Sequence, residues 1–211
     1  FIRSMATRGS LGGISDATEG AVKVLDAAGF DVVLVETVGA GQLDVAVAGI
    51  AHTVLLVLAP GLGDEIQAIK AGIMEIADIL VVNKADRPGA DKTVMDLMSV
   101  LEAGQADPSE WKPPIVKTVA LTGEGIEELI EQIERHKQFM ARRGLRFSER
   151  KVRALLVEAL RRTVVSEILP MITRSVKFDA AVRMVMRGEL SVEAGAELLL
   201  APLRDALREV G

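Results

Sequence analysis

The sequence predicts an α/β fold: a partial doubly wound parallel sheet followed by a C-terminal helical appendage. Three observations predict it. Short apolar, β-branched runs recur at Val32 to Val35, Thr53 to Leu58, Ile79 to Val82 and Ile115 to Ala120. Stretches with helical apolar spacing lie between them, and no strand pattern returns after Ala120. Apolar runs without alternation suit strands buried on both faces, and their alternation with helices indicates a parallel sheet covered by helices.

The elements follow in order. Ala21, Val22, Val24 and Leu25 mark a first helix, with Ser15 or Asp16 as its cap. Val32 to Val35 is the expected strand after it. Thr53 to Leu58 is the second strand, and Ile66, Ile69, Ile73 and Ile76 then keep helical spacing behind a cap at Asp64. After the strand Ile79 to Val82, Val94, Leu97, Met98 and Leu101 mark a helix that Asp91 can cap. Ala103 to Pro108 and Lys112 to Pro114 read as loop, ahead of the strand Ile115 to Ala120 and a helix from about Glu124. From Lys137 to Arg153 the chain turns strongly basic, with Glu149 its one acid. Beyond Ser148, the apolar positions Val152, Leu155, Leu156, Ala159, Leu160, Val164 and Ile168 keep helical spacing until Pro170. An amphipathic helix of this kind must cover either its own sheet or a partner subunit.

At 211 residues and 49% hydrophobic content, the chain can form one full domain with an appendage. A formal charge of -5 argues against nucleic acid or an anionic membrane as the main partner. No cysteine and no signal-peptide pattern occur, which makes the cytoplasm the expected compartment. No apolar run approaches the ~20 residues that cross a bilayer. The chain opens at Phe1-Ile2-Arg3 without an initiator Met and reads as a piece of a longer protein.

The most specific motif is Asn83-Lys84-Ala85-Asp86 at a strand end. There an Asn can hydrogen-bond purine N7, a Lys stem can cover the base, and an Asp can accept both N1-H and the 2-amino hydrogens of guanine. Adenine lacks that donor pair, and a site built on such complementarity rejects the wrong base because mismatching leaves buried polar groups unpaired. Taken alone, the four residues also suit a solvated turn leading into Arg87-Pro88-Gly89. One strand later comes Val119-Ala120-Leu121, followed by Thr122-Gly123-Glu124-Gly125, at the place where a short loop offers backbone amides to the guanine carbonyl.

Glu36-Thr37-Val38-Gly39-Ala40-Gly41-Gln42 follows the first expected strand. Glu36 can hold a magnesium-bound water, and Gly39 or Gly41 lets backbone approach a γ-phosphate. Gln42 either positions water or simply begins a helix from Gln42 to Ile50. Pro60 to Lys70 follows the second strand on the same edge, which makes Asp64 and Lys70 candidates for a mobile catalytic loop rather than only a cap and a solvated lysine. Arg8 to Gly13 is not a phosphate loop, since it lacks the Lys-Ser/Thr ending, and no Gly-x-x-x-x-Gly-Lys-Ser/Thr pattern occurs in the chain.

Phe1-Ile2-Arg3-Ser4-Met5-Ala6-Thr7-Arg8-Gly9, Glu36 to Gln42, Ala59 to Asp64 and Asn83 to Asp86 occur in an order that resembles the MeaB/ArgK family of P-loop GTPases. The resemblance implies that residues 1 to 136 are the C-terminal portion of a GTPase domain and 137 to 211 a helical dimerisation region. It implies GTP or GDP and Mg2+ as ligands, with Glu36 serving the metal and Gly39 the phosphates. Asn83, Lys84 and Asp86 would read guanine, and Val119, Ala120 and Leu121 would contact the base by backbone. Asp64, Lys70 and Gln42 would act in hydrolysis, the first two on a partner-sensitive switch. The implied function is a homodimeric GTP-hydrolysing chaperone for cobalamin loading and protection of methylmalonyl-CoA mutase or a related acyl-CoA mutase. The family's phosphate loop and first switch precede the Phe-Ile-Arg-Ser-Met stretch and are absent here, so the fragment alone is expected to be a poor GTPase. The alternatives are a non-catalytic dimerising scaffold, a kinase or regulator of amino-acid-binding transport proteins, and a metal-insertion GTPase. The last requires ligand clusters, whereas this chain has only His52 and His136 and no Cys.

Overall fold

A computed structural model describes residues 1–5, 16–37, 45–61, 76–103 and 110–208. The chain forms two compact units, Phe1–Leu156 and Val157–Gly211. The division falls inside a helix, C-terminal to the 136/137 boundary that the resemblance implied. Met140, just past that expected boundary, is buried within the first unit.

In the first unit, α1 (Asp16–Ala27) and α2 (Val45–Ile50) precede β1 (Leu55–Leu58), β2 (Ile79–Asn83), α3 (Ala90–Ala103), β3 (Ile115–Thr118) and α4 (Ile126–Arg143). The strands form a parallel sheet in the order β1-β2-β3, with Leu55 opposite Ile79 and Leu80 opposite Ile115. The central strand Ile79-Leu80-Val81-Val82 is buried at all four positions, as an unbroken apolar run requires. Its alternate residues face opposite ways. Leu80 and Val82 pack with Leu58, Ala90 and Leu97, whereas Ile79 and Val81 pack with Val116, Leu129 and Ile133. Helix α3 therefore covers one face and α4 the other, the arrangement expected of a doubly wound sheet.

Several local expectations are corrected. Val32 to Val35 is not a strand; Val32 and Leu34 are exposed, and no described strand pairs with them. A strand exists only with a hydrogen-bonding neighbour, so β-branched composition alone does not make one. Strand β1 begins at Leu55, and β3 ends at Thr118, where Val119 leaves the ladder to bridge Glu124. Asp91 lies in the first turn of α3 and is not its cap. The helix starts after Gly89, whose carbonyl accepts the Thr93 N–H at 3.0 Å and the Thr93 hydroxyl at 3.1 Å.

Helix α5 (Glu149–Thr163) begins where the Ser148 hydroxyl accepts the Lys151 N–H at 3.3 Å. Pro170 does not stop the helical path. A π-helical stretch, Val164–Ile168, leads into α6 (Leu169–Thr173), and the Leu169 N–H bonds the Val164 carbonyl, five residues back. Proline lacks an N–H and crowds the carbonyl four residues before it, so a wider turn ahead of Pro170 relieves that crowding. Within the second unit, α7 (Val176–Met186) is capped by Ser175, whose hydroxyl accepts the Phe178 N–H at 3.2 Å. It packs on α8 (Val192–Arg208), with Val185 against Gly195. Leu160, Val164, Met171, Val176, Met186 and Val192 are exposed on this unit.

Candidate guanine-nucleotide site

The carboxyl ends of β2 and β3 meet at one side chain. Ladder register sets Asn83 opposite Thr118. Asn83 Oδ1 accepts the Thr118 hydroxyl at 3.3 Å and the Ala120 N–H at 3.1 Å. A backbone N–H can only donate, so the atom facing it is the carboxamide oxygen, and the Nδ2 group is left to donate elsewhere. Purine N7 is an acceptor, which fits that remaining donor.

Lys84 then enters the left-handed region at φ 57, the one non-glycine residue to do so among those described. That conformation costs about 1–2 kcal/mol for an L-residue. It turns the chain so that the Ala85 N–H reaches the Thr118 carbonyl at 3.0 Å and the Arg87 N–H returns to the Lys84 carbonyl at 3.0 Å. Asp86 emerges exposed, with no hydrogen bond or ion pair among the described residues. Ala85, Asp86, Lys117, Thr118, Val119 and Glu124 line a recess of ≈ 100 Å³.

The facing loop is tied internally. The Val119 N–H bonds the Glu124 carbonyl at 2.9 Å, and the Val119 carbonyl accepts the N–H groups of Thr122 and Gly123, both at 3.0 Å. Ala120 is committed to Asn83 and Leu121 is fully exposed. A base carbonyl reaching this loop therefore meets an Ala120 N–H already shared with Asn83. Gly125 closes the loop at φ 76, and a Cβ there would sit 2.0 Å from the Lys117 carbonyl oxygen. Only glycine permits that approach. Lys117 pairs with Asp91 at 3.3 Å on the exposed flank.

Glu36 is exposed, with no polar partner among the described residues. No group of three or more His, Cys, Asp or Glu side chains converges among the described residues, so those residues do not by themselves build a metal site. Gly39, Gln42, Asp64 and Lys70 lie outside the described residues.

A second polar cluster lies at the opposite, amino end of the strands. Asp78, directly before β2, accepts the Val54 N–H at 2.8 Å and the Lys151 ammonium at 3.3 Å on Oδ2. Lys151, 1% exposed, also donates to the Ala51 carbonyl at 3.0 Å. His136 Nδ1 meets the Thr53 hydroxyl at 2.9 Å, while its Nε2 faces Asp78 Oδ1 at 3.4 Å without hydrogen-bond geometry. Burial holds both basic groups below their ordinary pKa, against the opposing pull of Asp78. The cluster fastens α4 and α5 to the bottom of the sheet, remote from the nucleotide edge.

Known proteins match this arrangement. The family model described as methylmalonyl-CoA mutase-associated GTPase MeaB matches residues 1–176. The chain belongs to the MeaB family. A protein of Pyrococcus horikoshii, provisionally named a GTPase, is 47% identical over 203 residues, covering 95% of this chain and 63% of that protein. A mouse protein named methylmalonic aciduria type A homolog, mitochondrial, is 30% identical over 95% of this chain and 49% of its own length. A solved LAO/AO transport system kinase superposes with a TM-score of 0.56 at 28% identity, over 88% of this chain and 63% of that one. The chain thus spans less than two thirds of the length of these relatives.

Two members of this MeaB-family edge are invisible to a motif search. Thr118 holds Asn83 from across the sheet, and Glu124 ties down Val119 by its carbonyl. The available signal for Thr118 was its place as the last residue of a strand pairing with the Asn83 strand. In the sequence His136 is one of two isolated histidines and Lys151 part of a basic stretch, and only the fold reveals that they share Asp78.

Proposed function

We propose that the complete protein binds and hydrolyses GTP as a cytoplasmic, homodimeric chaperone of a cobalamin-dependent methylmalonyl-CoA mutase. The observation that carries the nucleotide reading is the Asn83 carboxamide, whose oxygen is used by Thr118 and Ala120 and whose amino group remains to meet purine N7. The exposed Asp86 carboxylate beside the recess is the acceptor for N1-H and the 2-amino group. Lys84 covers the base, and Ala120 with its neighbours Val119 and Leu121 meets the base carbonyl.

Glu36 is assigned to magnesium, Gly39 to the phosphates, and Asp64, Lys70 and Gln42 to hydrolysis on the family resemblance alone. The mutase partner is supported by the family description and by the mouse relative's name. The exposed apolar side chains of the second unit support homodimerisation. The LAO/AO kinase likeness favours transfer of the γ-phosphate to a protein as a second reading. Release of inorganic phosphate without labelling of any protein separates hydrolysis from that reading.

The test uses Asp86→Asn in the complete protein. An amide can accept N1-H and donate to a 2-carbonyl, so the variant should lose GTP and gain xanthosine triphosphate. Loss of the charge-assisted pair is worth about 1.5–3 kcal/mol, or roughly ten- to a hundred-fold in affinity. Unchanged preference for GTP over both ATP and the xanthine nucleotide refutes the assignment.

A further inference from the structure

At the amino end of the strands, away from the nucleotide edge, Trp111, Arg135, Gln138, Phe139, Arg142 and Arg143 line a groove of ≈ 510 Å³. Five of the six follow one face of α4 at helical spacing. Trp111 joins them from the segment before β3. Its indole N–H donates to the Asp78 carbonyl at 2.7 Å, and its ring lies 5.0 Å edge-on from buried His136 and 5.4 Å from Phe139. The aromatic floor is therefore anchored to the sheet. Arg143 stacks over Phe139 with its guanidinium carbon 4.8 Å from the ring centre, which preorganises that cation.

The charge of this face opposes that of the chain. Three arginines and no carboxylate line the groove, in a protein of formal charge -5. Arg135 has an exposed ion pair with Glu131 at 3.9 Å, which is weak competition for a better-placed carboxylate. Arg135 and Arg142 are two turns apart, about 10 Å along the helix. That span exceeds one phosphate or one carboxylate, and it matches two acids on successive turns of another helix. Tryptophan and arginine are also the residue types that dominate binding energy at protein interfaces.

We propose that this groove is a docking site for an acidic, amphipathic helical segment of a partner protein. Carboxylates two turns apart engage Arg135 and the Arg142/Arg143 pair, and an apolar side chain between them sits on Trp111 and Phe139. Because Asp78 precedes β2 and Asn83 ends it, partner and guanine nucleotide occupy opposite ends of the same strand and do not compete for space. This inference stands whether or not the base assignment holds.

Trp111 is the one tryptophan of these 211 residues, and the difference in emission between the complete protein and its Trp111→Phe variant isolates the signal of the groove. The probe is a synthetic amphipathic helix of about four turns with glutamates two turns apart and leucines between them. It is titrated into the complete protein alongside the same peptide carrying glutamines, and alongside inorganic pyrophosphate. The expected result is a saturable change in Trp111 emission with the glutamate peptide, weakened by salt. Affinity should fall at least about ten-fold for the glutamine peptide and for the Arg135→Glu, Arg142→Glu double variant, as for loss of a charge-assisted contact. Both arginines lie on the outer face of α4, and an unchanged melting temperature checks that the variant is folded. Equal binding of the glutamine peptide, undiminished binding by the variant, or no response to either peptide overturns the proposal. A response to pyrophosphate alone overturns it in favour of a small-anion site.

Discussion

Asn83 Oδ1 holds the Ala120 backbone N–H at 3.1 Å, so one side chain joins the two loops that form the candidate base-binding edge. The oxygen organises the protein and the amino group is left to donate elsewhere, to purine N7 in the proposed reading.

That division can be tested with two substitutions. Asn83→Asp keeps an acceptor for Ala120 and Thr118 but has no donor for purine N7, so the melting temperature should hold while nucleotide affinity in the complete protein falls at least about ten-fold. Asn83→Ala should lose both, with a stability cost of about 1 kcal/mol. Equal nucleotide affinity of Asn83→Asp and wild type, measured with a fluorescent guanine nucleotide, contradicts this division.

Gly125→Ala should be among the most damaging small substitutions in the first unit. The added methyl carbon would meet the Lys117 carbonyl oxygen at 2.0 Å while the residue sits at φ 76. The left-handed conformation alone costs about 1–2 kcal/mol, and displacement of β3 adds to it. Urea unfolding should show a loss of at least that size. A near-neutral result would mean that the loop reaches Glu124 by another path.

Asp78→Ala should destabilise the first unit by about 3–5 kcal/mol, because it leaves the buried Lys151 ammonium without its countercharge. Asp78→Ala combined with Lys151→Met should recover much of that loss. Denaturation midpoints of the single and double variants decide the matter, and simple additivity argues against a coupled pair.

Stability should fall as pH drops below about 6.5, the ordinary histidine value from which burial depresses His136. Below that pH the unfolded chain takes up a proton that folded His136 resists, so the unfolded state binds more protons and is favoured on acidification. One such group contributes a slope of at most about 1.4 kcal/mol per pH unit. Asp78, Lys151, Thr53 and Trp111 are the groups that face it. His136→Gln should flatten the fall between about pH 6.5 and 5 relative to wild type; parallel curves would assign it to other groups.

The sheet was legible first through its central strand, which is buried on both faces and must therefore be apolar along that run. Ile79 to Val82 meets that condition fully, and the run was placed to within one residue. Val32 to Val35 has the same composition, but a strand also needs a neighbour, and pairing is not written in a local run of residues. The place of Asn83-Lys84-Ala85-Asp86 at a strand end was legible because the apolar run stops there and Arg87-Pro88-Gly89 marks a turn. The Thr118 support, the Gly125 contact and the Asp78–His136–Lys151 cluster arise from sheet register and helix packing between distant residues, which periodicity does not report.

The π-helical stretch before Pro170 has a consequence for register. A wide turn holds one residue more than an α-turn, and each residue of an α-helix advances the side-chain direction by about 100°. Side chains after Val164–Ile168 are therefore rotated relative to a continuous α-helix, and the apolar stripe that descends through Leu156 and Leu160 does not run straight on into Leu169 and Met171. Deleting one residue from 164–168 would straighten the stripe, but it would press the Pro170 ring against a carbonyl. The proline and the wide turn therefore act together, and removing either alone would shift the register of the helix that follows.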